Sequence, residues 1–322
     1  AMPSAAGGFR VLYAPGGEDR AEHVAAAVDA VSAEVGRQLG NPAPLRLDVE
    51  LLGAPANHLG VFTGGKIRLA TSADDATLAH ELAHAHAFAL SGPGAGVHAD
   101  ATHFFDEGLA DWVQARWSGE PAVPRVAGLI DETGQARFED LVDHGRHTAR
   151  HDIRQSYVLG QVFVEALVQQ AGEAALPCVL RTLGDSGDTP MAGLATWYSV
   201  AARCSVDLDA VQDRWRALLA AARAQFDGPT PRLRAAVVGD GGPRWVNVRD
   251  ERELGWTLLC GFRSAPEEPV HRWVFFPAQD GRCEVPTTAL AGPTAQVQVG
   301  FRVPGSVDGL EDVYLEWTDL QR

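Results

Sequence analysis

Lysine is almost absent from this chain: of its 27 basic residues, only Lys66 is not an arginine. Set against 42 acidic residues, they leave a formal charge of −15. So acidic a surface is repelled by phosphate backbones, and nucleic acid is not expected as a partner. No apolar run approaches the roughly 18 residues that cross a bilayer. Residues 174–180, for example, are cut short by Arg181, so no membrane span is expected. The first eight residues hold neither a basic segment nor an apolar core and do not read as a signal peptide. They read as a flexible lead. Ala1 ahead of Met2 looks like a cloning remnant, which leaves room for a leader trimmed upstream; a secreted and a cytoplasmic location both fit. Cysteine is sparse too. Cys178, Cys204, Cys260 and Cys283 form no C-x-x-C pair, which argues against a thiolate zinc site or a thioredoxin-like motif. Two local disulfides, one in each half, and four buried thiols both fit the spacing; two bridges would imply an oxidising compartment. There is no internal repeat and no low-complexity block.

What is present is ordinary for a soluble globular protein: 322 residues, 46% apolar and 21% charged, enough for two domains. Residues 9–14 alternate like a strand and end at Pro15-Gly16-Gly17. Residues 18–39 place Val24, Val28, Val31 and Val35 at helical spacing until Gly40 stops them. Residues 45–52 alternate again, and 60–62 with 66–70 flank Thr63-Gly64-Gly65 as a hairpin. A helix then starts with Ser72 as its cap and Asp75 three residues later, runs to about Leu90 and halts at Ser91-Gly92-Pro93-Gly94. From 104 to about 226 the pattern is mostly helical. After Asp227-Gly228-Pro229 it turns into short strands at 244–248, 256–262, 270–276, 295–303 and 313–317, with the turn spacing of a β-sandwich. The expectation is an α+β protein: lead 1–8, a first domain 9–228, and an all-β, immunoglobulin-like domain 229–322.

Chemistry concentrates at residues 80–111. His80-Glu81-Leu82-Ala83-His84 is an H-E-x-x-H pattern on the helix just described. Residues four apart on a helix differ by about 40° in azimuth, so both imidazoles point the same way and can share one metal. Glu81 lies about 100° away, able to reach a metal-bound water without ligating. A catalytic zinc takes three protein ligands and an open position, so a third ligand is required. The best candidate is Glu107 in Phe105-Asp106-Glu107-Gly108-Leu109-Ala110-Asp111-Trp112, where Glu107 opens a helix with an apolar face. His98, His103 and Asp106 compete for that role; His86 is weaker, because it points some 200° away from His84. Asp111, one turn past Glu107, is set to accept the free N–H of one metal-bound imidazole. His144, His147 and His151, at spacings of three and four, suggest a second metal site, although a solvated polar helix face is the commoner outcome.

The pairing of His80-Glu81-x-x-His84 with Glu107-Gly-Leu-Ala-Asp111 resembles the gluzincin zinc metallopeptidases, and the Glu-x-x-x-Asp part is similar to thermolysin-like members. The resemblance covers about residues 9–228. It implies an α+β catalytic domain with one zinc per chain, held by His80, His84 and Glu107, with Glu81 as general base and Asp111 supporting a ligand. It also implies an oxyanion donor on a later helix. Tyr157, ahead of the apolar stripe Leu159, Val162, Phe163 and Leu167, resembles that tyrosine, although its residues read equally well as a core tyrosine. His151, His147 and Arg154 are alternative donors. The metzincin continuation is absent, with Ala87 and Leu90 at the relevant places, and Asn57-His58-Leu59-Gly60-Val61 stands where aminopeptidases of the clan carry G-x-M-E-N. The implied activity is therefore endopeptidase-like hydrolysis of a protein or peptide, with the β domain binding substrate or a partner. The competing expectations are an inactive scaffold that binds partners and a zinc hydrolase of a non-peptide amide.

Overall fold

The structure is a computed structural model that describes residues 1–52, 59–92, 102–132, 136–185, 193–226, 228–239, 245–268, 274–292, 294–305 and 311–320. Contacts divide it into two compact units. The first comprises residues 1–124, 142–144 and 157–218; the second comprises 125–141, 145–156 and 219–322. This differs from a single boundary near 229, because segments of the helical region belong with the C-terminal strands.

The first unit opens with β1 (Met2–Pro3), β2 (Phe9–Leu12), α1 (Glu18–Gln38), β3 (Leu47–Leu52), β4 (Gly60–Phe62) and β5 (Lys66–Ala70). The sheet order is β1-β2-β3-β5-β4, parallel in the middle and antiparallel at both edges. Strand alternation makes it one-sided. Val11, Val49, Ile67 and Leu69 are buried, while the opposite face carries the ion pairs Arg10–Asp48, Lys66–Glu50 and Arg68–Glu50. The lead expected to be flexible instead supplies β1, and Ser4 Oγ donates to Asp29 while accepting from the Phe9 N–H.

Beyond the sheet come α2 (Asp75–Ser91), α3 (His103–Ser118), α4 (Ala127–Glu132), α5 (Phe138–Leu141), α6 (His144–Arg150), α7 (Ile153–Ala171), α8 (Ala175–Asp185), α9 (Leu194–Arg203) and α10 (Leu208–Ala224). The cap of α2 is Asp74, not Ser72: its carboxylate accepts from the Thr77 N–H and the Thr77 hydroxyl, and its charge faces the positive end of the helix. Helix α2 ends as expected, with Gly92 at a φ of 82°. Cys178 in α8 and Cys204 after α9 form a disulfide.

In the second unit, β6 (Leu233–Val238), β7 (Trp245–Asp250), β8 (Leu258–Arg263), β9 (Val274–Pro277), β10 (Arg282–Glu284), β11 (Gln296–Arg302), β12 (Asp312–Tyr314) and β13 (Thr318–Asp319) form two antiparallel sheets. One runs β10-β7-β6, the other β12-β11-β8-β9 with β13 also on β11. Val246 and Val248 of the first meet Phe262, Val297 and Val299 of the second in one buried cluster. A second disulfide, Cys260–Cys283, ties β8 to β10 across that cluster. Buried Arg263 donates to the carbonyls of Thr148 and Ala149, and the Trp317 N–H donates to Arg150. These ties draw residues 145–156 into this unit. His147 and His151 are buried here, which corrects the expected solvated face.

Candidate metal centre

Three side chains from two helices meet at one point. Helix α2 presents His80 and His84 on one face, as the four-residue spacing requires, and α3 delivers Glu107. Helix α3 begins at His103, so Glu107 lies in its second turn and does not open it. His80 Nε2 and His84 Nε2 are 3.2 Å apart, and Glu107 Oε2 lies 3.5 Å from the first and 3.4 Å from the second. Three atoms bound at about 2.0–2.1 Å to a tetrahedral zinc stand about 3.4 Å from one another, so this triangle fits the ion. Among the described residues it is also the group of histidine and carboxylate side chains able to hold a metal.

What turns both Nε2 atoms inward lies behind the rings. Asp111 Oδ1 sits 3.0 Å from His80 Nδ1, and Asp106 Oδ1 sits 3.2 Å from His84 Nδ1. A carboxylate at Nδ1 favours a proton there and leaves the Nε2 lone pair for a metal. Asp111 thus lies beside the outer nitrogen of His80, whereas Asp106, weighed as a rival ligand, faces the far nitrogen of His84. Of the other rivals, His103 meets His144 and Tyr157 edge to face, with ring centroids 4.1 and 5.8 Å away, and His98 lies outside the described residues. His86 turns to Ser32 of α1 and to Asn41 just beyond that helix, each meeting one ring nitrogen at 3.0 Å.

The electrostatics follow from burial among opposite charges. Burial works against charge on His80, but the Asp111 and Glu107 carboxylates outweigh it and raise the ring to about 9. The same competition, led by Asp106 and Glu107, raises His84 well above its ordinary value. Burial would lift Glu107, yet the two imidazoles hold it well below the usual carboxylate range. Glu81 behaves differently: burial pushes it up, and the opposing pull of His84 and His80 does not cancel that. Its carboxylate packs on β4, where a Cβ added to Gly60 would stand 2.5 Å from Glu81 Oε1. A larger residue there would displace the Glu81 side chain.

Tyr157 comes within hydrogen-bonding reach of Glu107, and burial together with the nearby carboxylates keeps its phenol protonated. The reason is a helix crossing. A Cβ on Gly108 would stand 2.2 Å from the Gly160 carbonyl carbon, and one on Gly160 would stand 1.9 Å from the Phe104 oxygen. Helices α3 and α7 therefore touch backbone to backbone through two glycines. Tyr157, one turn before Gly160, shares its face and is carried to the carboxylates. No local spacing marks this glycine pair, although Gly108 stands between Glu107 and Asp111 and Gly160 three residues past Tyr157. Trp112 Nε1, donating to Glu165 at 2.8 Å, closes the crossing one turn on. Of the three alternative donors, all in the second unit, Arg154 is bound by Asp152 and lies over Phe275 and Tyr314, and His147 and His151 are buried.

No family model matches this chain, and no curated protein does. Among solved structures, an M1 zinc metallopeptidase from Deinococcus radiodurans is 20% identical over 66% of this chain and 47% of its own, with a TM-score of 0.43. The ZmpB metallopeptidase from Clostridium perfringens is 12% identical over 94% of this chain and 62% of its own, with a TM-score of 0.32. This chain thus spans about half the length of the first. Likenesses of this extent fix neither a family nor an activity.

Proposed function

We propose that the chain is a single-zinc peptide hydrolase of gluzincin type, acting as an endopeptidase. One observation carries the reading: two Nε2 atoms and one carboxylate oxygen converge at 3.2–3.5 Å, with a further carboxylate, Glu81, buried beside them. His80, His84 and Glu107 would hold the ion, with Asp111 and Asp106 orienting the imidazoles. When bound, zinc supplies Lewis acidity, lowering the pKa of a water to about 7 and polarising a carbonyl oxygen. Glu81 then accepts the water's proton as the water attacks a peptide carbonyl, and later passes it to the leaving amine; a carboxylate lifted by burial suits both tasks. Tyr157 donates its hydroxyl proton in a hydrogen bond to the developing oxyanion. The two-sheet C-terminal region is read as an immunoglobulin-like sandwich domain that binds substrate or a partner, and its disulfide, like Cys178–Cys204, favours an oxidising compartment.

Glu81→Gln should retain about one zinc per chain and lose turnover of peptides blocked at both ends by about 10²–10⁴-fold. His84→Ala should lose the zinc itself. Zinc retained by wild type with no blocked or free peptide cleaved would replace the enzyme reading with that of a scaffold or a hydrolase of another amide.

A further inference from the structure

Within the second unit, β7 and β10 set an aromatic ring beside polar groups that have no partner. Burial alternates along both strands, so Val246 and Cys283 point into the core while Trp245, Arg282 and Glu284 point out. Register places Glu284 directly opposite Trp245, with Arg282 two residues away on the same face. Among the described tryptophans only Trp245 is exposed, at 43%. These three residues, with Phe276 and Gln279, line a cavity of about 920 Å³. That size lies within the range of small-molecule sites.

The frame around the cavity is fixed at two points. Gln279 and Arg282 exchange two backbone hydrogen bonds of 2.9 Å around Asp280-Gly281, whose φ values of 49° and 72° suit a two-residue hairpin turn. Between Arg282 and Glu284, Cys283 is buried and tied to Cys260 by the disulfide. The strand that presents the polar groups is therefore held before any ligand arrives, which lowers the ordering cost of binding. Among the described residues, no hydrogen bond or ion pair engages the side chains of Gln279, Arg282 or Glu284. Arg282 brings donors, Glu284 brings acceptors and Gln279 brings both.

We propose that this cavity binds a neutral carbohydrate, with one sugar ring stacked on Trp245 and its hydroxyls bonded to Arg282 and Glu284. A pyranose has an apolar C–H face that matches an indole, and a rim of hydroxyls that each donate and accept. Both halves of the site are then used at once. An apolar peptide side chain would cover the ring but would strip water from Arg282 and Glu284 and give nothing back. Nucleic acid, the other ligand with stacking rings, is opposed by the chain's charge of −15. The site lies wholly in the second unit and does not depend on the peptide-hydrolase reading.

The test is isothermal titration of the full chain with neutral trisaccharides of glucose, mannose, galactose, xylose and N-acetylglucosamine. At least one should bind with a Kd of about 0.1–1 mM, the strength of one stacked ring and a few hydrogen bonds. Trp245→Ala should weaken that binding at least about tenfold, and Trp245→Tyr, which restores an aromatic face, should recover most of it. Glu284→Gln keeps the side-chain volume and should weaken binding about fivefold through the lost charge. All three positions are on the surface, so the melting temperature should stay at the wild-type value; if Trp245→Ala lowers it, Trp245→Tyr and Glu284→Gln decide. Failure of every trisaccharide to bind, or binding that survives Trp245→Ala undiminished, overturns the proposal. So does binding confined to a trisaccharide of galacturonic acid, which would make the ligand an anion. A proline-rich peptide that binds through Trp245 where the sugars do not would make this a peptide site and would also overturn it.

Discussion

The imidazoles of His80 and His84 face one point because each has a carboxylate behind it, Asp111 for the first and Asp106 for the second. Neutralising either carboxylate keeps the shape and removes the charge that fixes the ring. Asp111→Asn and Asp106→Asn are each expected to weaken zinc binding about 10–100-fold in competition with a chromogenic chelator, and an unaltered affinity would remove that residue from the centre. Sequence spacing anticipated Asp111, one turn from Glu107, but not Asp106, whose direction depends on how α3 lies against α2. His86, on the far side of α2, makes a separate prediction. Burial lowers it from 6.5 to about 4, so the folded chain keeps it neutral. Between those two pH values the unfolded chain binds a proton that the folded chain does not, so stability falls as pH falls through that window. The loss is at most about 3 kcal/mol for this group. Urea titrations at pH 7 and pH 4.5, in chelator, should show His86→Gln losing less stability over that interval than wild type; equal losses would count against this role.

Among the elements, the crossing of α3 and α7 governs the site most directly. Gly→Ala inside an exposed helix normally stabilises it by up to about 1 kcal/mol. Gly160→Ala should do the opposite, because its Cβ would stand 1.9 Å from a backbone oxygen of α3 and the helices would have to part. The expected cost is about 3 kcal/mol in urea unfolding, with turnover falling further than stability as Tyr157 draws back. A neutral or stabilising result would mean that the helices do not touch. The helices themselves were legible from the valine period of α1 and the apolar stripe of α2. Their ends were less so: Ser72 and Asp74 are both competent caps, and what settled the matter is that the Asp74 carboxylate bonds two groups of Thr77 at once. The partnership of Gly108 with Gly160 spans 52 positions and has no local signature.

In the molecule as a whole, two disulfides staple two units. Each joins cysteines 26 or 23 positions apart, and closing a loop of that size removes about 3 kcal/mol of unfolded-chain entropy. Cys260→Ser with Cys283→Ser should therefore lower the unfolding midpoint of the second unit in calorimetry while zinc content stays at the wild-type level; an unmoved midpoint would show that the buried cluster alone sustains the two sheets. The spacing of the cysteines allowed bridges or thiols equally, and only the approach of β8 to β10, and of α8 to the end of α9, chose bridges.

By itself the amino-acid order determined what repeats over a few residues. A period of 3.6 puts His80 and His84 on one side of a helix, a period of two makes the first sheet one-sided, and turn residues separate the C-terminal strands. Tertiary structure decided what joins distant segments: which carboxylate stands behind each imidazole, how Glu107 and Tyr157 reach the same point, and which segments share a unit. Local periodicity is written into neighbouring side chains, whereas these meetings arise from packing between elements, where a missing Cβ or a buried charge acts on residues that the chain keeps far apart.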